Sequence, residues 1–225
     1  TGVRPVTAAP HAGKLRLFVD SNFYSPYALS AYVALLEKGL SFDLATVDLA
    51  AGQQQQAPFA QPSLTARVPM LMHGDFALTE STAIAEYLEE AHPTPSLFPP
   101  GRFERAHVRA LAEVINSGIQ PFQNLATLNY VKDVVKADQK AWAGYWISKG
   151  LTELQSMVAP KAGRFMVGDQ FTWADCCLLP QMYAARRFGV DSTAFETLHR
   201  IEQHVLGLDF VKATTPDAQP DAQPT

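Results

Sequence analysis

Cysteine is scarce in this chain of 225 residues, which has only Cys176 and Cys177, and the two are neighbours. Consecutive side chains on a helix point about 100° apart, so we expect no disulfide between them. A chain without disulfides fits a reducing compartment, and we predict a cytoplasmic protein. No pair of histidines lies near the two cysteines in the sequence, so we predict no zinc site and no other metal site.

Strong charge of one sign and long apolar runs are also missing. The 18 basic and 22 acidic residues leave a net charge of −4, and no basic cluster is longer than Arg186-Arg187, so nucleic acid is not an expected partner. No apolar run approaches the roughly 20 residues of a membrane span, so we expect no membrane partner. Residues 1–13 lack the regions of a signal peptide, and we predict that they and the polar residues 214–225 are disordered tails.

An alternation of strand and helix patterns fills residues 14–91. The first three elements predict a βαβ unit with parallel strands and a right-handed crossover. Pro69 stands at the head of a predicted strand although it cannot donate to a sheet, and we therefore predict a cis peptide bond before it. In chain order the predicted elements are strand Leu15–Val19, helix Tyr27–Lys38, strand Phe42–Asp48, strand Val68–Met72, strand Phe76–Leu78 and helix Thr79–Ala91.

The rest of the chain carries only helical patterns. We interpret the proline-rich residues 92–101 as a linker between an α/β domain, residues 14–91, and an all-helical domain, residues 102–213. Pro121 should kink the first long helix, and Thr172 and Asp175 have the spacing of a capping box before an apolar, buried helix. Two packed domains with a cleft between them follow. The predicted helices are Arg102–Leu128, Lys136–Ala159, Trp173–Phe188 and Thr193–Leu206.

The turn Ser25-Pro26-Tyr27 separates the first strand from the first helix. Pro26 falls at the first helical position, where its missing N–H costs nothing, and Ser25 falls at the N-cap. A hydroxyl there can simply cap the helix, or it can hold an anion at the positive end of the helix dipole. The turn alone leaves both roles open.

Three motifs resemble those of the glutathione S-transferases. The chain segment Arg67–Leu71 is like the Val-Pro strand of the family with its cis proline, and Glu80–Leu88 is like its acid-or-glutamine plus serine helix start. Thr172–Asp175 is similar to its capping box. The resemblance spans about residues 14–213. It implies a thioredoxin-like N-terminal domain, a helical-bundle C-terminal domain, a use of glutathione and a homodimer.

The second domain resembles one class of this family, the zeta class, whose members include maleylacetoacetate isomerase. The zeta class carries Ser-Ser-Cys-x-x-Arg at the strand-to-helix turn. This chain keeps the first serine as Ser25, but it has Tyr27 in the place of the cysteine and Ser30 in the place of the arginine. The zeta-like segments are Ser117–Leu125, Ala174–Gln181 and Arg187–Asp191.

The resemblance implies that Ser25 is the catalytic residue. A free thiol has a pKa of about 8.5, so the thiol of glutathione must be helped to ionise at neutral pH. A hydroxyl donor at a helix N-terminus favours the thiolate, and lowering the thiol pKa by two units corresponds to about 2.7 kcal/mol. Tyr24 is the alternative donor, because other classes of the family use a tyrosine hydroxyl.

Five residues are implied in holding glutathione. Val68 would offer its backbone N–H and C=O to the cysteinyl part, and Pro69, if cis, would expose those groups. Ser81 with the helix amides suits the γ-glutamyl carboxylate, and Glu80 suits the amine. Gln123 is similar to a zeta residue that reaches the ligand from the second domain. A plain solvated glutamine is the alternative for Gln123.

The second substrate would meet residues of both domains. Tyr27 is expected to line the site, although packing explains it equally well. Arg187 is similar to the zeta arginine that binds the carboxylate of an acidic acceptor, and Arg186 beside it is the competitor. Arg67 could bind the glycyl carboxylate of glutathione or could simply be exposed.

These residues lead to one main functional prediction and two alternatives. The main prediction is a transferase that conjugates the glutathione thiolate to small electrophiles, with peroxide reduction as a side activity. The first alternative is a zeta-type maleylacetoacetate cis–trans isomerase, which Arg187 favours and which the missing arginine at Ser30 opposes. The second alternative is a non-catalytic binding or scaffold protein with a transferase fold.

Overall fold

Four strands form one mixed sheet in the N-terminal part of the chain. The structure is a computed structural model that describes residues 13–21, 25–49, 51–56, 59, 63, 65–212 and 214. The strand order is β2-β1-β3-β4; β1 pairs with β2 in parallel and with β3 antiparallel, and β3 pairs antiparallel with β4. The strands are β1 (Leu15–Asp20), β2 (Phe42–Val47), β3 (Met70–His73) and β4 (Phe76–Thr79).

Two helices complete this part of the fold: α1 (Pro26–Glu37) between β1 and β2, and α2 (Ser81–Ala91) after β4. The predicted βαβ unit and its parallel pair are therefore present. The Val68–Pro69 peptide bond is cis, as predicted. The third strand begins at Met70, two residues later than predicted, because proline has no N–H to give to a sheet.

From residue 102 to residue 212, every element is helical. Short 3₁₀ turns and one π turn, Val131–Val135, connect the longer helices. The helices are α3 (Arg102–Asn116), α4 (Leu125–Tyr130), α5 (Gln139–Val158), α6 (Trp173–Arg187), α7 (Glu196–Leu206) and α8 (Asp209–Lys212).

The prediction of one kinked helix over Arg102–Leu128 is wrong. Helix α3 ends at Asn116, and a 3₁₀ turn over Gln120–Phe122 precedes α4. A Cβ at Gly118 would lie 2.5 Å from the Val114 carbonyl oxygen, so this close turn requires glycine. A new helix then starts where the Asn124 side chain accepts a hydrogen bond from the Thr127 N–H. Proline and glycine together end the helix here instead of bending it.

Helix α6 is buried on nearly all sides, as its apolar sequence predicts. The predicted capping box is present: the Asp175 carboxylate accepts the N–H groups of Thr172 and Met166, each at 2.9 Å. Cys176 and Cys177 are fully buried free thiols, and burial raises the pKa of the Cys177 thiol above its ordinary range. The two cysteines are therefore core residues, as expected.

Helix α1 packs against both α2 and α6, so the two parts of the chain share one apolar core. Lys38, just after α1, has a completely buried side chain. Its Nζ donates to Glu89 Oε2 at 3.0 Å and to the carbonyl oxygens of His92 and Pro95 at 2.7 and 2.8 Å. This buried ion pair ties the end of α1 to α2 and to the connecting residues 92–101.

The predicted fold class, an α/β sheet domain followed by helices, is confirmed, whereas the stated domain limits stay a prediction. The predicted tails fall almost entirely outside the described residues. Within the part of the chain that the structure describes, no helix combines the length and the apolar character that crossing a membrane requires.

Candidate active site

Ser25 is the N-cap residue of α1 and Pro26 is the first residue of the helix, as predicted. The Ser25 Oγ accepts a hydrogen bond from the Ala28 N–H at 3.4 Å, which is longer than a normal bond of this kind. Ser25 is only half-buried, and a hydroxyl that accepts one weak hydrogen bond can still donate another. The position thus permits both roles that the sequence left open: capping the helix and donating a hydrogen bond to an anion. Tyr24, the alternative, lies outside the described residues.

Asp20 is a neighbour of Ser25 that the sequence analysis missed. Its carboxylate Oδ2 accepts the backbone N–H of Ser25 at 2.9 Å, and the residue is only 5% exposed. In the same loop, Ser21 Oγ donates to the Val47 carbonyl oxygen at 3.3 Å. The signal in the sequence was an acidic residue directly after the apolar run Leu17–Val19. Ser21 and Ser25 are therefore each held by a hydrogen bond.

Val68 and Pro69 lie beside the end of β1. The antiparallel pairing of β1 with β3 ends at Phe18 and Met70, and Val68 and Pro69 come directly before this last paired residue. Val68 and Pro69 are both buried as residues, while Arg67 before them is exposed. The peptide segment predicted to hold the cysteinyl part thus lies next to the loop that carries Ser25.

Glu80 and Ser81 reach the same end of the sheet. Thr79 of β4 pairs with Met70 of β3, and the next two residues lead into α2. Glu80 has a φ of 71°, a left-handed conformation that costs a non-glycine residue about 1–3 kcal/mol and that often marks functional sites. Ser81 is buried at the first position of α2. The three predicted glutathione-binding segments are therefore neighbours.

Tyr27 connects α1 with the second domain. Its Oη donates to the Asn116 carbonyl oxygen at 2.9 Å. Burial raises the pKa of Tyr27 to about 12, and the nearby carboxylates of Glu80 and Glu113 add to this effect. The phenol therefore stays protonated, and its proton is directed at Asn116. This geometry favours the packing interpretation of Tyr27.

Ser30 lies inside the interface between α1 and α6. It is completely buried, its Oγ donates to the Pro26 carbonyl oxygen at 2.8 Å, and its side chain is also hydrogen-bonded to the Cys177 thiol. The position at which the zeta motif has arginine is thus enclosed by protein in this chain. The Ser30 side chain is therefore not exposed on the surface of the protein.

A polar network missed in the sequence joins the start of α2 to the end of α3. Thr82 Oγ1 donates to Glu113 Oε1 at 3.0 Å, and Asn116 Nδ2 donates to Thr82 Oγ1 at 3.2 Å. Ser117 Oγ donates to the other carboxylate oxygen of Glu113. No sequence signal pointed to Glu113. The network fixes α2, and with it Ser81, against the helical domain.

Gln123 is not a solvated glutamine, since it is only 8% exposed and donates from Nε2 to Gln181 Oε1 at 2.9 Å. Gln120 is fully buried, and neither atom of its amide has a hydrogen-bond partner among the described residues; the same holds for Gln123 Oε1. A buried polar atom without a partner costs about 1–3 kcal/mol. These amides are therefore suited to a polar ligand or to water. The sequence analysis missed Gln120 and Gln181.

The two arginines at the end of α6 differ in their surroundings. Arg186 Nη1 donates to both carboxylate oxygens of Glu202, at 2.8 and 2.9 Å, and the Glu202 side chain is fully buried. Arg187 is exposed, and its guanidinium lies 5.8 Å from the ring centre of Phe188. Arg186 is thus committed to a structural ion pair, and Arg187 stays the predicted contact of an acidic acceptor.

A cavity of about 590 Å³ lies elsewhere, between the start of α5 and the loop after α6. Its lining includes Lys140, Phe188 and Asp191, but none of the residues predicted for the site. Because the converging segments described above carry the polar groups that recognise a peptide thiol, we place the candidate site at Ser25 and not in this cavity.

Similarity to known proteins agrees with this arrangement. Residues 15–90 match the family described as glutathione S-transferase, N-terminal domain. Probable maleylacetoacetate isomerase 1 of Drosophila melanogaster is 37% identical over 195 residues, which cover 85% of this chain and 78% of that protein. The chain belongs to the glutathione S-transferase family. Within the transferases, two solved structures indicate the class.

The first is maleylacetoacetate isomerase from Anaeromyxobacter dehalogenans 2CP-1, with dicarboxyethyl glutathione and citrate bound in the active site. It is 41% identical, has a TM-score of 0.83 and covers 94% of each chain. The second is a maleyl pyruvate isomerase, described as a bacterial glutathione S-transferase in zeta class. It is 35% identical with a TM-score of 0.88, covering 92% of this chain and 100% of the other. This transferase is an enzyme of the zeta class.

The predictions of family, class, fold and enzyme are confirmed by these similarities. They favour the isomerase alternative over the main prediction of a conjugating transferase, because the relatives named above are isomerases. The roles of the individual site residues stay predictions.

Proposed function

We propose that this transferase is a glutathione-dependent cis–trans isomerase that acts on a maleyl-type dicarboxylic acid. The observation that carries the proposal is the similarity, over nearly the whole chain, to maleylacetoacetate and maleyl pyruvate isomerases. One of these relatives holds a dicarboxyethyl adduct of glutathione and a tricarboxylic acid in its active site. An acidic acceptor for this chain is a natural inference from that pair of ligands.

The two departures from the zeta motif do not oppose this proposal strongly. The Tyr27 hydroxyl is used on Asn116, and Ser30 is enclosed between α1 and α6. Both side chains thus belong to the packing of α1 against the helical domain. Ser25 and Val68, which would touch glutathione, are present in this chain.

The residues present fit glutathione. Bound glutathione would supply a thiolate, which adds reversibly to an activated double bond and so permits rotation before it leaves. Ser25 would donate a hydrogen bond from its hydroxyl to the sulfur at the positive end of α1 and so favour the ionised form of the thiol. Val68, next to the cis Pro69, would hold the peptide backbone. Gln123 Oε1 is buried without a hydrogen-bond partner among the described residues, which leaves it available to a polar ligand.

The charged ends of the two substrates would meet separate groups. Ser81 and the first amides of α2 would bind the γ-glutamyl carboxylate, and Glu80 would bind the amine. Arg187 would bind a carboxylate of the acceptor, because its neighbour Arg186 is already paired with Glu202. The predicted homodimer and cytoplasmic location belong to this proposal as well.

Conjugation of glutathione to small electrophiles is the second candidate. The observation that favours it is the sequence of the turn, in which Tyr27 stands in the place of the motif cysteine. Both reactions need the same thiolate, so the difference lies in the acceptor.

Binding and turnover test the proposal together. We expect heat of binding with glutathione in calorimetry and glutathione-dependent isomerisation of maleylacetoacetate or maleylpyruvate. The Ser25→Ala variant should lose about 10- to 100-fold in kcat. Ser156→Ala, a serine on the exposed face of α5, is the matched control and should keep the rate. Turnover of chlorodinitrobenzene without isomerisation would favour conjugation, and no binding of glutathione would refute both.

A further inference from the structure

Asp20 is a charged residue beside the proposed reaction centre to which the mechanism above assigns no role. It is the last residue of β1 and is only 5% exposed. Its carboxylate Oδ2 accepts the backbone N–H of Ser25 at 2.9 Å. A buried carboxylate is costly unless hydrogen bonds compensate for the lost water, and a bond between a carboxylate and an amide N–H is among the stronger ones.

The bond matters because few other contacts among the described residues orient Ser25. The contact of its hydroxyl with the Ala28 N–H is long, 3.4 Å, so that contact does not lock the side chain. The Ser25 carbonyl oxygen accepts the Leu29 N–H at 3.0 Å, which ties Ser25 to the helix that follows. Asp20 supplies the hold on the other side, at the Ser25 nitrogen. The backbone of Ser25, and so the direction of its Cα–Cβ bond, is fixed from both sides.

We propose that Asp20 is a positioning residue for Ser25. By holding the Ser25 amide, it aims the serine hydroxyl at the place where the thiolate of glutathione is to form. The inference rests on the proposed function of Ser25. Asp20 acts as a hydrogen-bond acceptor through its Oδ2, whose position is what matters. The carboxylate takes no part in proton transfer.

Two substitutions separate geometry from charge. Asp20→Ala removes the acceptor, and we expect kcat to fall about tenfold, with glutathione affinity kept within about threefold. The ultraviolet absorbance of the bound thiolate at neutral pH should fall with kcat. Asp20→Asn keeps an oxygen that can accept the same N–H, and it should restore kcat to within about threefold of the wild type. Asp43→Ala, which removes an exposed carboxylate of β2, is the control.

A double-mutant cycle tests whether Asp20 acts through Ser25. If it does, Asp20→Ala should cost little further rate once Ser25 is alanine, because the hydroxyl that it aims is gone. If instead Asp20→Ala lowers kcat by the same factor with Ser25 and with alanine at that position, the inference is overturned. So would an Asp20→Asn variant as poor as Asp20→Ala, since charge and not position would then matter.

These variants distinguish a protein that does not fold from one that folds but has lost activity. If thermal melting shows that Asp20→Ala does not fold, Asp20→Asn and Asp20→Glu decide: the asparagine should keep the rate, whereas the extra methylene of glutamate should displace Ser25 and lower it. Wild-type rates in Ser25→Ala would refute the proposed role of Ser25. A normal rate in folded Asp20→Ala, together with an impaired Ser25→Ala, would refute the inference alone.

Discussion

The Tyr27 hydroxyl donates a hydrogen bond of 2.9 Å to the Asn116 carbonyl oxygen and so joins the start of α1 to the end of α3. Tyr27 stands where zeta-class proteins have a cysteine, at the second position of the helix that Ser25 caps. The residue that looks in the sequence like a change of catalytic chemistry is, in the structure, a bond between the two parts of the fold.

The Tyr27→Phe variant should therefore affect stability more than catalysis. Losing the bond leaves the Asn116 carbonyl oxygen without this donor, and we expect the free energy of unfolding to fall by about 1 kcal/mol. The rate should change less than about threefold, because the ring is kept. Urea unfolding and steady-state kinetics measure the two effects, with the exposed Tyr145→Phe as control. A large loss of kcat at unchanged stability would instead show that the hydroxyl serves the ligand.

Arg187 and Arg186 form a natural pair of test and control. Arg187→Ala should raise the KM for the dicarboxylic acceptor about tenfold and leave glutathione affinity unchanged, since one charge-assisted contact is lost. Arg186→Ala should leave KM unchanged but lower the free energy of unfolding by about 2 kcal/mol, because Glu202 stays buried without its partner. The opposite pattern, with KM sensitive only to Arg186, would refute the assignment.

Lys38 should be one of the most sensitive positions for stability. Its ammonium is buried and bonded to Glu89 Oε2 and to two carbonyl oxygens. Lys38→Met leaves the Glu89 carboxylate buried without its main cation, and we expect a loss of about 3 kcal/mol in urea unfolding. The exposed Lys140→Met should lose less than about 0.5 kcal/mol. Equal stability of the two variants would show that the buried pair contributes nothing.

Glu89 should also make stability depend on pH in the acid range. Burial alone would raise the pKa of Glu89, but hydrogen bonds from Ser96, Leu97 and Lys38 outweigh burial and hold the pKa below its ordinary value of 4.5. The stabilisation is therefore complete above the ordinary value and is lost as the pH falls through the lower folded pKa. Glu89→Gln should flatten this decline in unfolding experiments at several pH values. A wild type and a variant that decline in parallel would contradict the assignment.

Short-range patterns predicted much of the fold. The starts of α1, α2 and α6 follow, to within two residues, from Pro26 at a first helical position, from the helix opening at Thr79–Thr82 and from the capping box at Thr172. The break after Asn116 was underestimated, because a proline in a helical pattern does not show whether the chain bends or stops. That choice depends on the close approach at Gly118, which only the folded backbone shows.

The sequence by itself determined the family, the order of elements and the candidate catalytic serine, because caps, prolines and apolar periods act within a few residues of the chain. Only the tertiary structure decided which polar groups meet. Asp20 with the Ser25 amide, Tyr27 with Asn116, Ser30 with Cys177 and Lys38 with Glu89 are contacts of this kind. No period in the sequence encodes such pairs, since each depends on how α1 packs against the sheet and the helical domain.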